Sequence, residues 1–223
     1  RLGVRNIQFT KPAESIVGAD WEWWLYDASH FLRLRVQAKR LFQDIGTYQY
    51  GQWAPNDIRD PCQIVKLIDA SKNCLLGHPV PCAAIYVFYN YLPDPSSVTW
   101  HVEGDNDALY GCTFASANGI LNSVKQHTTG GVPLNVVAPH SAPWHHLVCP
   151  GTGGGSALIN IASAVGIEEL VPMDSLPNNL QSFFGSDGPS PTVINELNAH
   201  YREFDPNVNS IQVVDLGELP LPD

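Results

Sequence analysis

From Phe31 to Lys39 the chain alternates strictly. Leu32, Leu34, Val36 and Ala38 are apolar, and Arg33, Arg35, Gln37 and Lys39 between them are polar or charged. Residues two apart share one face of a strand, so this stretch predicts a strand with one buried face and one face turned to water or to a partner. Just before it, Trp21, Trp23, Trp24 and Tyr26 form an aromatic cluster suited to filling the end of a core. Cys82–Leu92 carries Ile85, Tyr86, Val87, Phe88, Tyr89 and Tyr91 without alternation, between Pro81 and Pro93. An unbroken run of β-branched and aromatic residues predicts a central strand covered on both faces.

Further strands are predicted at Ser97–Val102, at Val132–Ala138 with Pro139 as its stop, and at Thr192–Phe204. Gln63–Ile68 reads as a short strand or one or two helical turns, and Ala157–Val165 as strand or helix. Gly46–Asp60 and Gly104–Asp107 are turn-rich. Residues 172–192 hold four prolines and two glycines and read as a long loop. The lead-in, 1–20, reads as an arm, and Leu219–Asp223 as an extended tail. Eighteen Gly and 18 Pro along the chain disfavour long helices. The expected fold is all-β: an eight-stranded antiparallel jelly-roll sandwich with short helices in its loops, an arm over 1–20 and one domain over 21–223.

Charge changes this picture in one respect. Only 15% of residues are charged, below the quarter usual for a soluble domain, which suggests a surface partly covered by other chains. The net charge of −10 is unevenly spread. Residues 1–125 hold 11 of the 12 Lys/Arg and 12 of the 22 Asp/Glu, whereas 126–223 set Arg202 alone against ten acids. An acidic chain is by itself a poor non-specific ligand for nucleic acid. The five cysteines, Cys62, Cys74, Cys82, Cys112 and Cys149, are odd in number and form no Cys-x-x-Cys pair. Reduced thiols and a cytoplasmic setting are expected. The longest apolar run, Cys82–Leu92, is too short to span a bilayer. No signal peptide follows Arg1, and a chain starting there fits a product cut from a longer precursor.

Candidate chemistry is sparse. Gly151–Gly155 with Ser156 could let a backbone approach phosphates, but it lacks the Lys-Ser/Thr of a phosphate loop, so a flexible turn is expected. His140, His145, His146 and Cys149 have the side chains of zinc ligands in a spacing that matches no known motif. Cys112 and Cys149 lack flanking residues that would activate a thiol. Glu168 and Glu169 are adjacent and cannot face one another as an acid/base pair. Ser141 sits in no nucleophile elbow, and Asp105 and Asp107 in no calcium loop. No catalytic, cofactor-binding or metal-binding residue is assigned on these grounds.

Three segments carry a resemblance. Val132–Trp144, an apolar strand running into Pro139-His140-Ser141-Ala142-Pro143, resembles an inner strand of picorna-like virus capsid proteins. Leu197–Asn207 with the proline-rich tail is similar to the closing strand of comovirus-type coat proteins. Trp21–Tyr26 and Phe31–Lys39 are similar to their paired opening strands. The likeness does not extend to Gly46–Asp60 or to a basic RNA-binding arm. It implies a polyprotein-derived structural subunit of an icosahedral RNA virus, not an enzyme and without cofactor. Its partners would be further copies, sister subunits and, through the inner surface, genomic RNA, in the virion and the host cytoplasm and never in a membrane.

Two other readings compete: a free β-sandwich binding module with an aromatic pocket at Trp100 or Trp144, and a metal-dependent enzyme built on the His140–Cys149 cluster. The shell reading predicts a megadalton particle by native mass measurement, and a discrete monomer near the 24.4 kDa chain mass excludes it.

Overall fold

The computed structural model describes residues 4–8, 21–42, 47–48, 63–91, 98–100, 110–125, 131–148, 156–185, 188–204, 208 and 210–216. The strands are β1 (Val4–Gln8), β2 (Trp21–Tyr26), β3 (His30–Phe42), β4 (Thr47–Tyr48), β5 (Cys82–Tyr89), β6 (Cys112–Ser116), β7 (Val132–Pro133), β8 (Ala142–Pro143), β9 (Val171–Pro172) and β10 (Ser210–Asp215). The helices are α1 (Gln63–Ser71), α2 (Ala117–Lys125), α3 (Leu134–Val137), α4 (His145–Val148), α5 (Ala157–Ala164), α6 (Asn178–Gln181) and α7 (Pro191–Phe204).

These strands join one mixed sheet whose main order is β1-β10-β2-β3-β5-β6-β8. β10 runs parallel to β2, and β3 parallel to β5, while the other pairs along this path are antiparallel. The expected all-β jelly roll is therefore incorrect. A jelly roll needs antiparallel strands in two stacked sheets. Here β3 reaches its parallel neighbour through α1, the crossover that parallel pairing requires.

Helices cover both faces of the sheet. On one side, Trp24, Phe31, Tyr86, Phe88 and Ile211 pack with Ile64 and Leu67 of α1, Ile120 of α2, Leu180 of α6, and Leu197 and Tyr201 of α7. On the other, Trp23, Leu32, Leu34, Val36, Ile85, Val87 and Phe114 pack with Leu147 of α4 and Leu158 and Ile161 of α5. The result is a three-layer α/β/α arrangement. We call the α1/α7 side the inner face and the α4/α5 side the outer face.

The central strand expected at Cys82–Leu92 is present as β5, with Ala83–Phe88 buried on both faces. The alternation of Phe31–Lys39 also marks a real strand, but its polar face is not wet. Arg33, Arg35, Gln37 and Lys39 are between 1% and 5% exposed, because α1 and α7 lie over them.

Other expectations change type. Thr192–Phe204 is α7, not a strand: Pro191 opens the helix. Val193, Leu197 and Tyr201 recur at helical spacing and face the core, although the β-branched Thr-Val-Ile start suggests a strand. Val132–Ala138 is a strand for two residues only and then turns into α3, followed by a 3₁₀ turn at Ala138–His140. Gln63–Ile68 lies in α1, and Ala157–Val165 is essentially α5, capped by Ser156, whose hydroxyl accepts from the Leu158 N–H. The supposed loop 172–192 contains a 3₁₀ turn at Met173–Ser175, then α6 and the start of α7. Val4–Gln8, placed in an arm, is strand β1, paired with β10. Val98–Trp100 are not in a strand, and the rest of Ser97–Val102 lies outside the described residues, as do Gly104–Asp107, Gly151–Gly155 and the tail 219–223. So does Gly46–Asp60, except for β4.

Leu34, wholly buried between the outer-face helices and the sheet, tests the three-layer core. Leu34→Ala should cost about 2–5 kcal/mol of unfolding free energy in urea titration, the range for a fully buried leucine.

Candidate functional site

The inner face of β3 presents Arg33, Arg35, Gln37 and Lys39 in a row, about 6.6 Å apart along the strand. Burying such groups is costly without partners, and the protein supplies them in two sets.

The first set centres on Glu22. The antiparallel register puts Glu22 beside Arg35, and Trp24 beside Arg33. The Glu22 carboxylate accepts from Arg33 Nη2 at 3.1 Å and from Arg35 Nε and Nη2 at 3.0 and 2.6 Å. It also accepts from Trp24 Nε1 at 3.0 Å and from the Tyr201 hydroxyl of α7 at 2.6 Å. Arg33 Nη1 reaches the Val80 carbonyl at 3.3 Å. Burial by itself would raise the Glu22 pKa. The two guanidiniums outweigh it, together with the hydrogen bonds from Tyr201 and Trp24, and hold the carboxyl well below the usual range. Burial and the Glu22 charge push the Tyr201 hydroxyl upward.

The second set lies further along β3, toward its carboxyl end. Lys39 Nζ donates to Gln63 Oε1, at the first residue of α1. Gln63 Nε2 in turn donates to Gln37 Oε1 at 3.0 Å. The ammonium also lies 5.9 Å from the Tyr86 ring centroid. Lys39 is 2% exposed and Gln63 6%. Nearby, on the same inner face, the Tyr48 hydroxyl donates to Asn90 Oδ1. Asn90 Nδ2 donates to Thr113 Oγ1 at 2.9 Å and to the Tyr110 carbonyl at 3.1 Å.

Gln37, Lys39, Gln63 and Asn90 thus gather at the carboxyl end of the parallel pair β3 and β5. In open α/β sheets this end is where ligands bind. A fixed ammonium withdrawn from water suits a ligand with anionic oxygens, and an amide oxygen suits a cation.

The residues weighed from sequence alone do not assemble here. His140 ends the 3₁₀ turn, exposed, with its Nε2 3.1 Å from the Ser123 hydroxyl. His145 and His146 sit side by side in α4, ring centroids 4.4 Å apart and perpendicular. Cys149 lies outside the described residues, and among the described residues no three His, Cys, Asp or Glu side chains group as metal ligands. Burial pushes the Cys112 thiol up to about 11, away from thiolate chemistry at neutral pH. Ser141 is buried, with its hydroxyl donating to the Val137 carbonyl. Trp100 is stacked on Tyr110, centroids 4.3 Å apart, in the core and not in an open pocket. Trp144 packs edge-on against Trp23. Glu168 and Glu169 line a cavity of about 810 Å³ with His30, Ile159 and Gly166, beside the amino end of β3. Among the described residues no helix is long and apolar enough to cross a membrane.

Glu22, Gln63 and Tyr201 were missed. The sequence does mark Glu22: a single acid inside Trp-Glu-Trp-Trp, on the face Trp24 shares, has to be buried with a cation.

A family model described as "Family of unknown function (DUF6615)" matches residues 1–213. No curated protein and no solved structure matches the chain.

Because the Glu22 pKa is depressed in the folded state, its contribution to stability is present above the ordinary carboxyl value of 4.5 and is lost as pH falls below it. Unfolding titrations from pH 7 down to about 3 should show this acid loss in the wild type. Glu22→Gln should remove that component and cost about 3–5 kcal/mol at neutral pH, since two buried guanidiniums lose their counter-ion.

Proposed function

The chain belongs to the DUF6615 family, and we propose that it is a divalent-cation-dependent phosphodiester hydrolase whose centre is the carboxyl end of β3 and β5. The observation that carries this reading is Lys39, an ammonium buried to 2% exposure and fixed by Gln63 and Tyr86, two residues from the pinned amide of Gln37 on one strand face.

Each residue has a chemical role in this reading. A desolvated, preorganised ammonium stabilises negative charge on a phosphoryl oxygen far better than a solvated one. The Gln37 amide oxygen, oriented by Gln63, is a hard neutral ligand of the kind magnesium and calcium accept. Such a cation also needs a carboxylate. In the chain, Asp20 directly precedes Trp21, the first residue of β2 and the partner of Val36 in the register, and is the carboxylate we put to the test. A divalent cation held there would make a coordinated water more acidic and polarise the phosphoryl group. The water oxygen bonds to phosphorus, the P–O bond to the leaving alkoxide breaks, and the water proton ends on that alkoxide.

The shell-subunit expectation leaned in part on a jelly roll, and the mixed sheet contradicts that fold. Its closing strand, Leu197–Asn207, falls largely on α7, and its inner strand, Val132–Trp144, largely on helical turns.

With millimolar Mg²⁺ or Mn²⁺, the purified chain should hydrolyse bis-p-nitrophenyl phosphate and polynucleotide, and EDTA should stop it. Lys39→Met, which keeps the length and suits a buried site, should lower kcat by about a hundredfold or more while the protein stays folded by circular dichroism. Asp20→Asn should abolish the response to metal. A folded Lys39→Met variant as fast as the wild type, or a wild type inert toward both substrates with both cations, defeats the proposal.

A further inference from the structure

We propose that the cleft beside the amino end of β3 is a binding site for a small organic cation, an amine or guanidine carried on an apolar body. From His30, which lines it, to Lys39 is about 30 Å along the strand, so this site goes beyond the hydrolase reading and does not depend on it.

The walls of the cleft are fixed by the backbone. α5 ends at Gly166, whose φ of +77° is the left-handed conformation of a helix stop. The Ile167 N–H donates to the Ala162 carbonyl at 2.8 Å, and the Gly166 N–H to the Ser163 carbonyl at 3.1 Å. These two bonds close the helix and set the direction of Glu168 and Glu169, which follow. Beyond Leu170, β9 pairs with the start of β3, Val171 beside Phe31 and Pro172 beside His30. The Met173 N–H then donates to the Ser29 carbonyl at 2.9 Å. At the other end of α5 the Ser156 hydroxyl donates to Asp27 Oδ2 at 2.7 Å, which ties the helix to the turn before β3. The segment carrying the two acids is thus held at both ends. It encloses about 810 Å³, within the range of preformed small-molecule sites.

The lining has two chemical halves. Ile159, Ile167, Leu170 and Pro172 are apolar, Glu168 and Glu169 are acids, and no Lys or Arg is among the lining residues. Ile159 is 51% exposed, a large aliphatic surface that the described residues leave to water. Behind His30, whose Nδ1 is 3.9 Å from Asp27 Oδ1, stands a further carboxylate. Burial alone would raise the Asp27 pKa, but hydrogen bonds from Ser156 and from the Ser29 and His30 N–H groups outweigh it and keep the group ionised. The acids of the cleft also belong to residues 126–223, where Arg202 alone opposes ten acids. This field repels anions and attracts cations. A bare metal ion does not fit, because among the described residues no three His, Cys, Asp or Glu side chains group as its ligands. An organic cation satisfies both halves, with its charge at Glu168 and Glu169 and its body covering Ile159.

Three probes of one shape separate charge from fit: 2-phenylethylamine, 2-phenylethanol and phenylacetate, each titrated calorimetrically into the full chain. The amine should bind saturably with a Kd of about 10 mM or tighter. High salt should weaken it, the alcohol should bind about fivefold more weakly or less, and the acid should not bind. The double variant Glu168→Gln, Glu169→Gln should weaken the amine about fivefold or more, and Ile159→Ser about threefold or more. All three side chains are exposed, so both variants should keep the wild-type circular dichroism. Equal affinity for the alcohol or the acid overturns the proposal, as does unchanged affinity in the double variant or a wild type that does not bind the amine. Displacement of the amine by stoichiometric Ca²⁺ or Zn²⁺ assigns the acids to a metal and overturns it too. An Ile159→Ser variant that turns a dimer into a monomer by sedimentation, with amine affinity unaltered, assigns the apolar wall to self-association and equally overturns it. No turnover is involved, so these results and those of the diester assay stand apart.

Discussion

One carboxylate organises the middle of this protein. Glu22 is entirely withdrawn from water, and it is the shared acceptor for two guanidiniums of β3, an indole of its own strand and a phenol of α7. Without it, β3 could not carry two arginines into the interior, since the desolvation of each would go uncompensated. With it, β2, β3 and α7 are tied at one point, from segments 179 residues apart in the chain. This is a device for specificity more than for stability. Buried ionic groups tolerate few alternative pairings, so a shift of β2 against β3 by one residue would send the acid to the opposite face from the arginines.

The row on β3 divides into two halves with different work. Arg33 and Arg35 share the Glu22 carboxylate of the neighbouring strand, and Arg33 also reaches the Val80 carbonyl. Gln37 and Lys39 are satisfied by Gln63, where the chain returns from β3 to begin α1. The first half is enclosed on every side and holds the layers together. The second lies beside the segments that leave the carboxyl ends of β3 and β5, where loops can vary without disturbing the sheet.

Much of this was open to a reading of the sequence, and the failures have specific causes. Alternation located β3, and the apolar run of Cys82–Leu92 located β5, because both patterns are local. Alternation distinguishes two faces but does not say that the polar one meets water. That depends on Glu22, Gln63 and Tyr201, which no local window around β3 contains. α7 was mistaken because Thr192, Val193 and Ile194 favour strands, while the helical recurrence of Leu197 and Tyr201 decides the outcome only once there is an inner face to pack against. The histidine cluster drew attention by composition alone. In the fold, His140 bonds Ser123 and the adjacent pair shares one short helix. The candidate site lay in the strand already identified, whose polar face was read as turned to water or to a partner, not as buried under α1 and α7.

The position of β10 has a consequence for how the molecule comes into being. This strand, residues 210–215, is inserted between β1 and β2, antiparallel to the one and parallel to the other. A ribosome therefore releases the first two strands of the sheet long before the piece that separates them exists. Until then β2 has a naked edge and β1 lacks its strand partner, a state open to pairing with another nascent chain. Closure of the sheet waits for residues 210–215 to be made, and a chain stopped before residue 210 would lose one whole flank.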